Sequence, residues 1–258
     1  MNPLRRYEKI METLLAAREV TVAELTEALG VTGKTIREDL AKLEEKGLLA
    51  RVHGGAVLAQ PNQLGILSPK REEAPNAAER REIAASAAAL VEPNEVIALD
   101  GGRTTLEMAR QLADQPLTVV TNDLLIIAEL SRRERIRLVV PGGYQSRNVL
   151  IGAEAEAYIR KLNITKAFLS ATGVHAEYGF TIYSGESVGI KRAWLETAKA
   201  SYVTADHHKF GQGALFTFAR LDEVAAIITD SGMPSGTAEL FRQGGARVII
   251  QGSGSDEL

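Results

Sequence analysis

Two groups of residues in this 258-residue chain have the types and spacing that binding chemistry needs. The first is Asp100-Gly101-Gly102-Arg103-Thr104-Thr105, which follows the apolar run Val96-Ile97-Ala98-Leu99 and leads straight into a helical pattern. Glycines free backbone N–H groups to turn toward an anion, threonine hydroxyls sit at the helix start, and Arg103 adds a formal charge to the partial charge of the helix end. That combination suits a phosphate. It matches neither the Walker nor the dinucleotide glycine pattern. The chain's Gly33-Lys34-Thr35 has Ala28 where a Walker loop needs its first glycine, and no strand before it. The second group is Thr32, Gly33, Lys34, Thr35 and Arg37, followed by Arg51, His53, Gly54 and Gly55. Cations and hydroxyls at a helix start, backed by a small glycine turn, suit the edges and phosphates of a nucleic acid.

The hydrophobic period indicates which elements hold these groups. Tyr7, Ile10, Met11, Leu14 and Leu15 recur at spacings of three and four, one face of a first helix. A second helix opens on the capping box Thr21-Val22-Ala23-Glu24, runs through Leu25, Ala28 and Leu29, and ends at Gly30. Thr32 caps a third, whose buried face carries Ile36, Leu40 and Leu43 and which Gly47 stops. Two short strands around Gly54-Gly55 then complete a winged helix-turn-helix over residues 1–58. With Ile36, Leu40 and Leu43 inward, Thr32, Gly33, Lys34, Thr35 and Arg37 face outward as a reading surface, and Arg51, His53 and Gly54 lie on the wing. The segment holds nine Lys/Arg (5, 6, 9, 18, 34, 37, 42, 46, 51) against nine Asp/Glu (8, 12, 19, 24, 27, 38, 39, 44, 45), so binding must rest on local charge placement.

Residues 20–57 resemble the amino-terminal domain of the DeoR family of bacterial transcriptional regulators. Thr35, Ile36, Arg37, Asp39, Leu40, Leu43, Glu44, Gly47, Arg51, His53, Gly54, Gly55 and Ala56 fall on the family pattern. Thr32 replaces the commoner Ser and keeps the capping hydroxyl, while Glu38 replaces a second Arg and removes one phosphate contact. The resemblance implies that double-stranded operator DNA is the partner.

Residues 59–76 mix Pro, Asn, Gln and charges and read as a linker, and a helix is expected from about Ala77 to Leu90. Beyond it, apolar β-branched runs at EVIALD, LTVVTN, IRLVVPGG, KAFLSATG, KASYVTAD, VAAIITD and ARVII alternate with helical stretches. This predicts a Rossmann-like, mostly parallel, doubly wound α/β sheet over residues 77–252, with ligands beyond the carboxyl ends of the strands. Asp100, Asn122, Gly142-Gly143, Thr172-Gly173, Asp206 and Lys209 all follow such ends. This half is similar to the DeoR carboxy-terminal sensor domain. That likeness implies a fold resembling ribose-phosphate isomerases and a phosphorylated sugar effector. It implies landmarks at Asp100, Gly102, Thr104, Thr105, Asn122, Gly142, Gly143, Gly173, Glu186, Lys191, Asp206 and Lys209. Gly101, Gly102, Arg103, Thr104 and Thr105 are expected to hold the phosphate, and Asp100, Asn122, Glu186, Asp206 and Lys209 to meet the hydroxyls. His207 and His208 stand where the family has two serines. Read as a strand end, they point apart and do not share a metal.

Composition sets the remaining limits. A 45% hydrophobic and 24% charged chain matches a globular protein, and the net charge of −3 argues against nonspecific nucleic-acid coating. There is no cysteine, which excludes disulfides and thiolate zinc sites. No export signal or membrane-length apolar run is present, so a cytoplasmic location is expected, with no membrane partner, metal or cofactor. Three function classes follow. The first, favoured by both halves, is a ligand-responsive regulator without catalytic residues, most simply a repressor of a carbohydrate operon, acting as a homodimer or homotetramer. The second is a sugar-phosphate isomerase with Glu186, Asp206 and Lys209 as acid–base groups. The third is a winged-helix module for protein partners.

Overall fold

The computed structural model describes residues 2–17, 19–45, 48–52, 54–58 and 76–250. Gly47, His53, residues 59–75 of the expected linker and residues 251–252 lie outside the described residues.

The amino-terminal domain contains α1 (Pro3–Ala17), β1 (Glu19–Thr21), α2 (Val22–Leu29), α3 (Gly33–Glu45), β2 (Leu49–Val52) and β3 (Gly55–Leu58). Tyr7, Ile10, Met11 and Leu14 of α1 meet Leu25, Leu29, Ile36, Leu40 and Leu43 in one core, so the periodic apolar faces pack as expected. The capping box is formed. Thr21 Oγ1 accepts from the Glu24 N–H at 3.1 Å, and Glu24 accepts from the Thr21 N–H at 2.8 Å. Gly30 closes α2 at φ +64. Strand β1 is an addition to the sequence reading. It pairs with β3 and makes a three-stranded sheet in the order β1-β3-β2. A Cβ on Gly55 would lie 2.1 Å from the Val20 carbonyl oxygen, so this glycine permits the close approach of β1 to the wing.

The carboxy-terminal domain runs α4 (Ala77–Ala88), β4 (Val96–Leu99), α5 (Arg103–Gln111), β5 (Leu117–Thr121), α6 (Leu124–Leu130), β6 (Ile136–Val139), β7 (Tyr144–Ser146), β8 (Val149–Ile151) and α7 (Ala153–Ile159). It continues with β9 (Ile164–Ser170), β10 (Gly173–His175), β11 (Gly179–Ile182), α8 (Val188–Thr197), β12 (Ala198–Thr204), β13 (Phe216–Ala219), β14 (Ala226–Thr229), α9 (Ser235–Gln243) and β15 (Val248–Ile250). The seven expected runs form one parallel sheet in the order β15-β14-β12-β9-β4-β5-β6. Alternate residues of its strands serve opposite faces. Ala98, Val120, Ala167 and Leu169 join the core around Trp194 and Phe180, while Ile97, Leu99, Val119 and Phe168 join the core around Ile83 and Met108.

From β4 the chain winds outward to β5 and β6, and from β9 it winds the other way. The crevice between β4 and β9 is therefore the topological switch point, where open α/β sheets hold their ligands. Two smaller antiparallel units flank the sheet: β10-β11-β13 and the hairpin β7–β8.

Candidate functional site

The outward end of α3 is presented as its sequence requires. Thr32 Oγ1 accepts from the Thr35 N–H at 3.2 Å and lies 3.0 Å from the Thr35 hydroxyl, which starts the helix. Thr32, Lys34 and Arg37 are exposed, Gly33 and Thr35 half-buried, and Ile36, Leu40 and Leu43 face the core. Lys34 leans toward Glu38 at 4.0 Å, so the residue that replaces the family's second Arg also draws on a neighbouring cation.

Two ion pairs fix α3. Buried Asp39 takes a two-pronged contact from Arg6 of α1, at 2.7 and 3.1 Å, which gives this motif residue a structural role. Glu44 accepts from the Arg51 backbone N–H at 2.8 Å and from Arg51 Nε at 2.6 Å, and these bonds hold its carboxyl below the usual range. Arg51 is thus a brace between α3 and the wing, where the sequence suggested an open contact. Gly54 is exposed at φ +83 in the wing turn, and His53 lies outside the described residues.

At the switch point, Asp100 ends β4 and is buried. Its Oδ2 accepts from the Ser170 N–H at 3.0 Å and from the Lys191 ammonium, while the single Ser170 hydroxyl proton goes either to the Gly101 carbonyl at 2.6 Å or to this oxygen at 3.1 Å. Lys191, brought in by α8, also donates to the Ser170 carbonyl at 2.7 Å. Gly102 starts α5, and a Cβ there would meet Ser170 Cβ at 2.7 Å, so the loop and β9 touch. Arg103 is the first residue of α5. Its pKa is lowered by burial and then by the like charge of Arg80 on α4. Lys209 donates to the Ala171 carbonyl at 2.8 Å. Its pKa is pushed down by burial, up by Asp206, and down again by Lys191, Arg80 and Arg103. Lys209, Lys191, Arg80 and Arg103 therefore lie near enough to act on one another, with Asp100, Asp206 and Asp123 among them and Glu79 and Glu107 toward Arg80.

Asn122 is buried after β5. Its Nδ2 donates to the Leu150 carbonyl at 2.9 Å, while Oδ1 has no hydrogen-bond partner. A buried unpaired acceptor costs free energy unless a donor arrives. Next to it, Asp123 caps α6 by accepting from the Leu125 and Ile126 N–H groups at 2.8 and 3.0 Å, and it also accepts from Asn148. Burial, with Asp100 adding to it, pushes the Asp123 carboxyl up to about 6.

Several expected contacts have other duties. Thr105 is fully buried, and its single hydroxyl proton goes to the carbonyl of Asp100 or Gly102, at 2.6 and 2.9 Å. It has no proton left for a phosphate. A Cβ on Gly173 would lie 2.3 Å from the Gln212 carbonyl, so this glycine serves backbone packing. Gly142 and Gly143 take φ +84 and +105 and shape the entry to β7, with Gly143 against the Ile151 carbonyl. Glu186 is exposed and accepts from the Ser146 hydroxyl at 3.4 Å. Thr104 is buried at the start of α5. His207 is not on a strand end, because His207–Lys209 is a 3-10 turn. Strand alternation fails there, and the rings of His207 and His208 lie 3.8 Å apart between centroids. His207 Nδ1 sits 2.5 Å from buried Asp230. Among the described residues no group of three His, Asp or Glu side chains is placed to hold a metal.

Comparison with known proteins gives this arrangement a family. A model of the DeoR-like helix-turn-helix domain matches residues 6–62, and a model of the DeoR C terminal sensor domain matches residues 75–231. The chain belongs to the DeoR family of transcriptional regulators. It is 35% identical to the transcriptional repressor AccR of Agrobacterium fabrum, over 88% of this chain and 89% of AccR. It is 30% identical to the L-fucose operon activator of Haemophilus influenzae, over 92% of this chain and 96% of that protein. Among solved structures, ribose 5-phosphate isomerase A of Methanocaldococcus jannaschii matches with a TM-score of 0.40 at 18% identity, covering 52% of this chain and 55% of that one.

In this DeoR-family chain the sequence reading missed four residues that the fold brings to the switch point: Arg80, Asp123, Asn148 and Ser170. Ser170 is the last residue of β9 and Asp123 lies just past β5, close to the signal that marked their neighbours. Arg80 sits in an alanine-rich helix read for its packing face, and Asn148 in a hairpin too short to show a period. No helix of the described residues is long and apolar enough to cross a membrane.

Proposed function

We propose that this DeoR-family regulator controls a carbohydrate-utilisation operon, and that a phosphorylated sugar bound at the β4/β9 switch point changes its hold on operator DNA. The sensor-site observations that carry the reading are the cluster of Arg80, Arg103, Lys191 and Lys209 and, past the end of β5, the unpartnered Oδ1 of buried Asn122. A phosphate dianion suits the Gly101 and Gly102 N–H groups, the start of α5, Arg103, Arg80 and Lys209. Sugar hydroxyls suit the Asn122 oxygen, Asp206 and Asp100, because a hydroxyl can donate to these acceptors and a phosphate dianion cannot. On the DNA side, Thr32, Gly33, Lys34, Thr35 and Arg37 read the major groove, with the wing on the backbone. One helix-turn-helix covers a short half-site, so the working form is a homodimer or homotetramer on a two-fold operator.

The test is a thermal-shift screen of the full chain with sugar phosphates, the free sugars and inorganic phosphate, since a ligand that binds only the folded state raises its stability by mass action. One sugar phosphate is expected to outperform both its free sugar and phosphate alone. Equal shifts from free and phosphorylated sugars would remove the phosphate from the account.

A further inference from the structure

Helix α1 does not stand clear of the sensor domain. Tyr183, just past β11, is buried in the core of the DNA-reading domain with Tyr7, Ile10 and Met11, and Ala214 and Leu215 pack on the same cluster. Two residues on, the Gly185 N–H donates to Glu8 Oε1 at 3.1 Å. One helical turn further along α1, Glu12 meets Arg147 Nη2 at 3.9 Å. Glu8, Met11, Glu12, Arg147, Tyr183 and Ser184 line a single cleft between the domains.

Arg147 is at the tip of the β7–β8 hairpin, in the left-handed region at φ +57, which a non-glycine side chain adopts only when the surroundings hold it there. The body of the same hairpin is bonded to the candidate ligand site. Asn148 donates to Asp123, and its carbonyl accepts from the Leu124 N–H at 2.8 Å. The Leu150 N–H donates to the Asn122 carbonyl at 2.8 Å. Val149 lies against Gly101 so closely that a Cβ on that glycine would sit 2.4 Å from Val149 Cγ1. One short element thus touches the proposed phosphate loop at one end and the DNA-reading domain at the other.

We propose that the β7–β8 hairpin, with the Tyr183–Gly185 turn as its fixed companion, is the surface through which ligand occupancy reaches α1. An anion seated on Gly101 and Gly102 must accommodate Val149. Movement of Val149 carries Arg147 against Glu12, and α1 carries α3 with it through the Arg6–Asp39 pair. A second connection runs from Asp100 through Lys191 and α8 back to Gly185 and Glu8. Both routes end one turn apart on α1. This rests on the Asp100 loop being the ligand site, and coupling of this kind is reciprocal: what the ligand does to α1, α1 must do to the ligand.

The experiment is amide hydrogen exchange on the full chain, comparing wild type with Glu12→Gln, Arg147→Gly and the double variant, without ligand and with saturating inorganic phosphate. Arg147→Gly removes the guanidinium and suits the positive φ, so the hairpin turn itself is retained. Each single variant is expected to change exchange at Leu150, Gly101 and Gly102 by about threefold to fivefold, the scale of a surface ion pair, and the double variant no further. The affinity for phosphate should shift by the same factor. Unchanged exchange at Leu150, Gly101 and Gly102 in both single variants would overturn the coupling. If exchange changes as expected while phosphate protects neither glycine in wild type, the coupling stands and the ligand reading fails.

Discussion

The ammonium of Lys191 bridges the carboxylate of Asp100 and the carbonyl of Ser170, and so ties α8 to both strands of the switch point. Both charged groups are buried, and each has its partner in place. Removing one member of such a pair leaves the other uncompensated and costs about 3–5 kcal/mol. Lys191→Met is therefore expected to lower the stability of the sensor domain by about that amount in urea denaturation. Replacing both, Asp100→Asn with Lys191→Met, should recover part of the loss. A single variant as stable as wild type would mean that the pair is solvated in solution.

The next expectation concerns pH. Asp123 has its carboxyl raised to about 6, chiefly by burial, whereas the unfolded chain keeps an ordinary aspartate value. Between the two values the folded state holds the proton and the unfolded state has released it. This contribution is therefore full at acid pH below the unfolded value and is lost as pH rises through about 6, a change of about 3 kcal/mol at most. Asp123→Asn keeps an acceptor for the α6 N–H groups and should flatten this segment of the stability–pH curve. A wild-type curve that rises between pH 4 and 6 by the same slope as the variant would contradict the assignment.

On the DNA side, Arg37 and Arg51 should differ in kind. Arg37 projects from α3 into solvent, so Arg37→Ala is expected to weaken operator binding by about 1–3 kcal/mol and leave thermal stability unchanged. Arg51 is held by Glu44, so Glu44→Gln should reproduce part of the effect of Arg51→Ala although it removes no cation. Fluorescence anisotropy on upstream DNA separates them. If Glu44→Gln strengthened binding by freeing Arg51, the brace would be an inhibitory contact instead.

Local signals made most of this architecture legible, and long-range pairings made the rest opaque. The capping box at Thr21 and Glu24, the glycine at position 30 and the buried face of α3 are all settled within a few residues, and the structure keeps each of them. The seven parallel strands were visible because a strand buried on both faces leaves an uninterrupted apolar run. Strand β1 was not visible: it has three residues, and Thr21 already signalled a helix start. Asp39 and Arg6, Glu44 and Arg51, and Asp100 and Lys191 find each other only across the fold, so motif residues that look like ligands become braces. For the histidine pair only the strand-end geometry is overturned, since strand alternation does not extend into what is a 3-10 turn.

Phosphate binding at the switch point is tested by operator binding of wild type and of Arg80→Met/Arg103→Met, titrated with the sugar phosphate that the thermal screen selects. Both guanidinium groups crowd the switch point and neither lies in the DNA-reading domain. Without ligand the two proteins are expected to bind operator equally, and the ligand response of the variant to be displaced at least about tenfold to higher concentration, as when charge-assisted bonds to a phosphate are lost. A variant that responds at the same concentration as wild type would place the phosphate elsewhere.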